Sequence, residues 1–398
     1  MTPFTFQTPS NLLFEAGASR KIAELVEQYG ASRIMLVTDK GVRAAGLTGD
    51  AEAALSAARI SVTIFDGVVA DPPSQVIESA AALCRDQKIE LVLSIGGGSA
   101  LDTAKLVAYL AKSPDRLDDI YGVGLAKGQR LPLILVPTTA GTGSEVTPIA
   151  IVTTPTSEKK GVVSPRLIPD WAVLDPELTL GLPSHVTAAT GIDAMVHAIE
   201  AYTSKMKKNP MSDQLARQAL ALLSANIRRV FKDGRDLEAR SQMLLGSMLA
   251  GMAFANAPVA AVHALAYPIG AIFHVPHGLS NALVLPHVLE FNLPAAEALY
   301  AELAGIIIRP GLQATSSRDR ARAFIDEMIS IGQDCAVPAS LSVVGITRDD
   351  LKKLSEDAMK QTRLLVNNPR QLTLEDAYAI YSAAYDDSSN HSMRAPNE

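Results

Sequence analysis

Six of the seven histidines fall between residues 185 and 290, and no Lys or Arg occurs between Arg240 and Arg309. Asp193 and His197 stand at i and i+4, so a helix over 194–202, which its Ala, Met, Ile and Glu content favours, sends both side chains from one face. His263 lies in a second apolar run of helical spacing. His277 sits between Pro276 and Gly278, a turn that would aim its ring back across a cleft. One carboxylate and three imidazoles suit a divalent transition ion, Fe(II) or Zn(II), acting as a Lewis acid on a substrate oxygen. Spacing alone leaves a second reading open, in which these are core histidines. Against it, an Asp buried on an apolar helix needs a partner, and the neighbourhood supplies few cations.

A second constellation lies upstream. Leu91–Ile95 reads as a buried strand and runs into Gly96-Gly97-Gly98-Ser99-Ala100-Leu101-Asp102, the opening of a helix. Glycines without Cβ atoms beside free helix N–H groups make a phosphate cradle, although the spacing is neither that of the Gly-x-Gly-x-x-Gly fingerprint nor a Walker loop. Leu133–Pro137 is another strand, followed by Thr138-Thr139-Ala140-Gly141-Thr142. Hydroxyls and small residues there can donate to a ribose or carboxamide while a flat ring approaches, and a solvated threonine loop is the structural alternative. Asp39 follows the strand over 34–37. A carboxylate there can accept from both ribose hydroxyls and would repel a 2′-phosphate, which predicts NAD over NADP. Lys40 opposes that argument, and a turn-capping Asp39 is the alternative.

The stretch Gly191-Ile192-Asp193-Ala194 with His197, then His263 and Pro276-His277-Gly278, resembles both signatures of the iron-containing (group III) alcohol dehydrogenases. The resemblance implies that Asp193, His197, His263 and His277 bind the metal. It also implies that Gly96, Gly97, Gly98, Ser99 and Asp102 belong to the pyrophosphate loop, and that Thr138, Thr139 and Thr142 contact ribose and nicotinamide. Asn367-Asn368-Pro369-Arg370 extends the similarity over nearly the whole chain. One departure stands out: many members carry a further His four residues after the third ligand, and this chain has Tyr267. A neutral phenol with a pKa of about 10 carries protons poorly at neutral pH. Tyr267 is therefore expected to orient substrate, with His274 as the candidate proton carrier.

The elements that must position these residues follow an α/β rhythm. Ala18–Tyr29, Thr48–Ala58 and Ser74–Gln87 read as helices, and 33–39, Ser61–Phe65 and 91–95 as strands. Such repeats imply a parallel sheet with ligands at its carboxyl edge. Phe4–Gln7 and Asn11–Phe14 read as an edge hairpin, a candidate dimer contact. After Pro183 the pattern turns to long Ala/Leu helices, over 213–226, 237–255, 295–308, 318–331, 348–360 and 374–384. The expected fold is a Rossmann-like, dehydroquinate-synthase-like α/β unit over 1–183 with a parallel sheet, and an all-α metal-binding unit over 184–398. The tail from Asp386 is polar, and His391 is not expected to be a ligand.

The chain has 398 residues, 48% hydrophobic and 20% charged, enough for a large core in two domains. A net charge of −6 argues against nucleic acid or an anionic membrane as the main partner. Two cysteines, Cys84 and Cys335, supply neither a disulfide framework nor a thiolate zinc site, and point to the cytoplasm. Residues 1–6 have no basic segment before an apolar core, so no secretory signal is expected there. The uncharged stretch 241–289 imitates a membrane span, but Pro258, Pro268, Asn256 and its histidines favour buried helices.

Together these readings predict a metal-dependent dehydrogenase that moves hydride between a small alcohol or aldehyde and NAD, with iron the first choice of ion and zinc the second, working as a homodimer. The rivals are a glycerol-dehydrogenase-like or dehydroquinate-synthase-like enzyme of the same fold, and a non-catalytic metal or nucleotide binder. A lyase holding a phosphorylated substrate would need several cations at the cleft, and the Arg240–Arg309 gap argues against that. Lys159 and Lys160 are the residues that could still approach. Phe254, Ile149 and Ile151 are candidate apolar walls.

Overall fold

The computed structural model describes residues 3–156, 158–308 and 316–386. The predicted tail with His391 lies outside them. Nine strands and fourteen α-helices are described. The strands are β1 (Asn11–Phe14), β2 (Arg33–Val37), β3 (Ser61–Phe65), β4 (Leu91–Gly96), β5 (Gly122–Val123), β6 (Leu133–Pro137), β7 (Ile149–Thr153), β8 (Lys159–Val163) and β9 (Trp171–Leu174). Helices of the first part are α1 (Ile22–Glu27), α2 (Lys40–Ala44), α3 (Gly49–Ala57), α4 (Ser74–Asp86) and α5 (Gly98–Leu110). The second part holds α6 (Ser184–Thr203), α7 (Pro210–Lys232), α8 (Leu237–Asn256), α9 (Ala261–Phe273), α10 (His277–Ile307), α11 (Ser317–Asp334), α12 (Leu351–Met359), α13 (Thr362–Leu365) and α14 (Leu374–Asp386).

Six strands form a wholly parallel sheet in the order β1-β9-β6-β4-β2-β3. Its central strands β4 and β6 are buried on both faces and apolar apart from Ser94, as helices on either side require. The order fixes the geography of the site. β2, β4 and β6 are neighbours, and Gly96 pairs with Pro137 at their carboxyl ends. Asp39, the glycine loop and the threonine loop therefore emerge side by side along one edge, where the chain reverses its direction of sheet growth.

Several expectations are corrected. The edge hairpin does not form: β1 lies parallel to β9, and the backbone of Gln7 is bracketed by the Asn256 side chain, which accepts from Gln7 N (2.7 Å) and donates to Gln7 O (2.8 Å). A side-chain amide thus satisfies the polar groups that a partner strand would have taken. The expected helix over 18–29 begins as a 3-10 turn, Ala18–Lys21, before α1. Beside the main sheet, β7 and β8 are antiparallel and form with β5 a separate three-stranded sheet ordered β5-β8-β7. The run at 295–308 is the end of a 31-residue helix, α10, that passes through Pro286 and Pro294.

The helical part packs around one large apolar core. Side-chain caps satisfy the first amides of α7, α8 and α11: Asn209, followed by Pro210, opens α7, Asp236 opens α8 and Ser316 opens α11. No single helix among the described residues is long and apolar enough to cross a membrane, and the one pair that passes together, α8 with α9, is bent by 106°.

Candidate active site in the cleft

The Asp193, His197, His263 and His277 ligand atoms all lie within 4.8 Å of one another. α6 supplies the first two from one face, α9 the third and the first residue of α10 the fourth. His277 is thus a helix start, where a turn was expected. Gly278 explains its reach: a Cβ there would stand 2.5 Å from Ala189 O, so only glycine lets α10 begin against the backbone of α6. Nε2 of His277, His263 and His197 lies 3.7, 3.8 and 4.0 Å from Asp193 Oδ1. Tetrahedral donors with bonds of about 2.1 Å stand about 3.4 Å apart, so a slight contraction encloses an ion.

The ring tautomers are fixed from behind. His263 Nδ1–H donates to Glu200 Oε2 (2.7 Å), and His197 Nδ1–H donates to Gly141 O (3.2 Å), since a carboxylate and a carbonyl can only accept. Both Nε2 lone pairs are left facing the cluster. Glu200 also accepts from Ala260 N (2.8 Å) and Val262 N (2.7 Å), which ties α6 to the start of α9. Burial pushes the Asp193 carboxyl up to about 6 and holds His197 well below the usual imidazole range. His277, with its side chain 31% exposed, is held down too, by desolvation in the cleft wall and then by His263 and Lys159.

The donor set fits a divalent cation. Asn281 is the only amide hydrogen-bonded into the cluster among the described residues: its Nδ2 lies 2.6 Å from Asp193 Oδ1 and 3.3 and 3.2 Å from Nε2 of His263 and His277. Two N–H groups cannot serve three such acceptors and His197 as well, and Asn281 Oδ1 is itself buried without a partner. The cluster has more lone pairs than protons, and a cation supplies the missing acceptor of electrons.

The cluster lines one end of a cavity of about 450 Å³, whose other walls include Gly97, Gly98, Ser99, Asp102, Thr139 and Thr142. A second cavity, of about 590 Å³, continues from Gly97–Ser99 to Asp39. α5 begins at Gly98, so its first amides face this groove. A Cβ on Gly98 would stand 2.6 Å from Thr142 Cγ2, which is how closely the two loops approach. Asp39 caps α2 by accepting from Val42 N through Oδ1 (2.9 Å), and also lines the groove.

Not every expected residue reaches the cavity. Gly96 is buried beneath it, and Thr138 is 3% exposed and donates its N–H to Gly96 O (3.0 Å), so this pair shapes the turn from below. Asp102 lines the cavity with its oxygens engaged: Oδ1 accepts from Ser144 Oγ (2.5 Å) and Lys105 Nζ (3.4 Å), Oδ2 from Ile151 N (2.9 Å). His274 ends α9 with φ 56°, exposed and outside the cavity lining, so it is not placed to carry a proton. Tyr267 does line the cavity, with its ring centroid 5.9 Å from that of His277. Burial raises its hydroxyl pKa further.

Sequence reasoning missed Glu200, Asn281, Lys105 and Arg363. Glu200 lies three residues after His197 on the same apolar face, and Asn281 four after His277, so helical spacing pointed to both. Lys105 and Arg363 carried no such signal. The predicted Phe254, Ile149 and Ile151 line the cavity, and Phe254 stacks on His197 with centroids 4.3 Å apart. Lys159 lines it too, while Lys160 is exposed.

The family model for iron-containing alcohol dehydrogenase matches residues 9–176, and that for the C-terminal part of the Fe-containing alcohol dehydrogenase family matches residues 187–385. The chain belongs to the iron-containing alcohol dehydrogenase family. It is 40% identical over 372 residues to the long-chain-alcohol dehydrogenase 1 of Geobacillus thermodenitrificans, covering 93% of each chain. The fold of a solved 1,3-propanediol oxidoreductase superposes with a TM-score of 0.93 at 34% identity, over 96% of this chain and all of that one. A sulfoacetaldehyde reductase from Bifidobacterium kashiwanohense, solved in complex with NAD+, is similar at a TM-score of 0.86 and 27% identity, over 97% of this chain and all of that one. Family membership accounts for the joining of a parallel-sheet part to a helical part at this cleft.

Proposed function

We propose that the protein is an NAD-dependent, metal-dependent alcohol dehydrogenase. The observation that carries this reading is the convergence of one carboxylate and three imidazole Nε2 atoms on the cavity that also receives the amino end of α5. Asp193, His197, His263 and His277 would hold a divalent ion, iron first and zinc second. When bound, the ion supplies Lewis acidity that lowers the pKa of the substrate hydroxyl, and NAD accepts the hydride.

The chain's own residues do the rest. Gly97, Gly98 and Ser99 present backbone amides to the pyrophosphate, and Asp39 accepts from the adenosine ribose. Thr139 and Thr142 flank the nicotinamide end, whereas Gly96, Thr138 and Asp102 act by holding the two loops in place. Ile149, Ile151 and Phe254 exclude water from the hydride path, which strengthens every electrostatic contact within it. Tyr267 orients the substrate as a neutral hydrogen-bonding group. Residues 1–183 form the cofactor unit and 184–398 the metal unit. We expect a homodimer in the cytoplasm, with β1 at the sheet edge, its Leu12 and Phe14 exposed, as the contact. Alcohol-dependent NADH formation by metal-loaded protein tests the activity, and a metal-loaded protein inert towards alcohols and aldehydes in both directions would reject it.

A further inference from the structure

We propose that the cavity takes an alcohol bearing a carboxylate tail, a short hydroxy acid oxidised to its oxo acid, with Arg363 recognising the tail. This rests on the dehydrogenase reading and names its substrate class.

The charges lining the cavity are paired, with one exception. Asp193 belongs to the His cluster, Asp102 is engaged by Lys105, and Asp71 Oδ1 pairs with Lys159 Nζ (2.8 Å). Among the described residues Arg363 lines the cavity with no carboxylate partner. A guanidinium presents its donors in a planar fork that matches a carboxylate, and such pairs are formed with little loss of rotamer freedom.

Its position is held by the fold. Arg363 lies in α13, where Leu364 is buried and the buried Asn367 donates from Nδ2 to Val259 O (2.8 Å) and to Arg363 O (3.1 Å). From there the guanidinium reaches towards the α/β part, since a Cβ built on Gly161 of β8 would stand 3.6 Å from its NH2. Its charge also acts on the Tyr267 hydroxyl, whose pKa burial raises and Arg363 lowers. Tyr267 and Arg363 line the same cavity, and the Tyr267 ring centroid stands 5.9 Å from that of His277. A substrate whose hydroxyl lies at the cluster sends its tail along Tyr267 to the guanidinium, past a wall of Ile149, Ile151 and Val259 that offers a neutral chain only apolar contact. In the reaction the carbinol C–H bond breaks, its hydride passes to NAD, and the hydroxyl proton leaves to water; the carboxylate is unchanged.

The test uses the metal-loaded enzyme with NAD, comparing kcat/KM for 3-hydroxypropanoate, 4-hydroxybutanoate and 5-hydroxypentanoate with the matched 1-alkanols, in the native protein, Arg363→Gln and Arg363→Lys. The native protein should favour at least one hydroxy acid over its alkanol. Arg363→Gln should lower that ratio by at least about tenfold, equivalent to ~1.4 kcal/mol, mainly through KM, and Arg363→Lys should recover part of it. Rising salt should lower the ratio in the native protein more than in Arg363→Gln. A ratio unchanged in Arg363→Gln, or a native enzyme that oxidises the alkanols and none of the acids, overturns the inference and leaves the dehydrogenase reading standing. Failure to oxidise either series overturns that reading, and the inference with it.

Discussion

The cofactor groove and the His/Asp cluster share a cleft but are built by opposite means. The groove is made of backbone: glycines that admit close approach, the amino end of α5, and a threonine loop pressed against it. The cluster is made of side chains, projected from three helices and each steadied by a second residue, Glu200, Asn281 or the Gly141 carbonyl. Backbone sites fail when a side chain is added, and side-chain sites fail when one is removed. The Gly141–His197 hydrogen bond joins the two, so the threonine loop orients a ring of the cluster.

That contrast can be broken at the cluster with the largest effect. His263→Ala or His277→Ala should strip most of the bound metal, by elemental analysis, and lower kcat/KM by roughly three orders of magnitude while the circular dichroism spectrum is kept. Tyr267→Phe should retain the metal; if it does not, Tyr267 is a ligand and the donor set is wrong. On the groove side, Gly98→Ala adds a methyl against Thr142 and should raise KM for NAD about ten- to a hundredfold with metal content unchanged, on the strength of the lost amide approach. An unchanged KM would move the pyrophosphate elsewhere.

Smaller changes sharpen the contrast. Glu200→Gln keeps the size of the residue behind His263 but weakens its acceptor, and metal affinity in a chelator competition should fall about ten- to a hundredfold. Asp39→Gly should raise NADP efficiency relative to NAD by about tenfold, ~1.4 kcal/mol, in steady-state kinetics. Because glycine is also a tolerated N-cap, losing the Val42 contact should cost α2 only a few tenths of a kcal/mol, approximately, in a thermal melt. Glu145 beside the threonine loop gives the mildest effect. It is 1% exposed, Oε1 has no partner among the described residues, and burial raises its pKa from 4.5 to about 7. The folded state then holds a proton that the unfolded state has released, so the stability that Glu145 contributes is fully present below 4.5 and is lost as the pH rises to about 7. Glu145→Gln should flatten that slope in denaturant titrations; a slope equal to the native one would place the titrating group elsewhere.

The sequence made the cluster more legible than the groove. Asp193 and His197 share a helical period, and clustered histidines without nearby cations are a compositional signal that survives an error of a turn or two. His277 shows this: it was expected in a turn, starts a helix instead, and still converges. Loop residues carry no period, so Gly96 and Thr138 looked like Gly97 and Thr139, and only the register of β4 against β6 separates those beneath the groove from those lining it. The edge hairpin failed for a related reason. Local alternation at residues 4–14 says that strands can form, but the partner is decided by β9 and by Asn256, far along the chain. Arg363 escaped because a lone cation on a short surface helix has no pattern until the fold brings β8 opposite.

The most direct test is metal analysis joined to kinetics on one preparation. Protein purified without air should hold about one divalent ion per chain, as one four-donor set requires. Chelation should abolish NAD-dependent alcohol oxidation, and Fe(II) or Zn(II) should restore it. Metal-free protein that oxidises alcohols at the full rate would contradict the account.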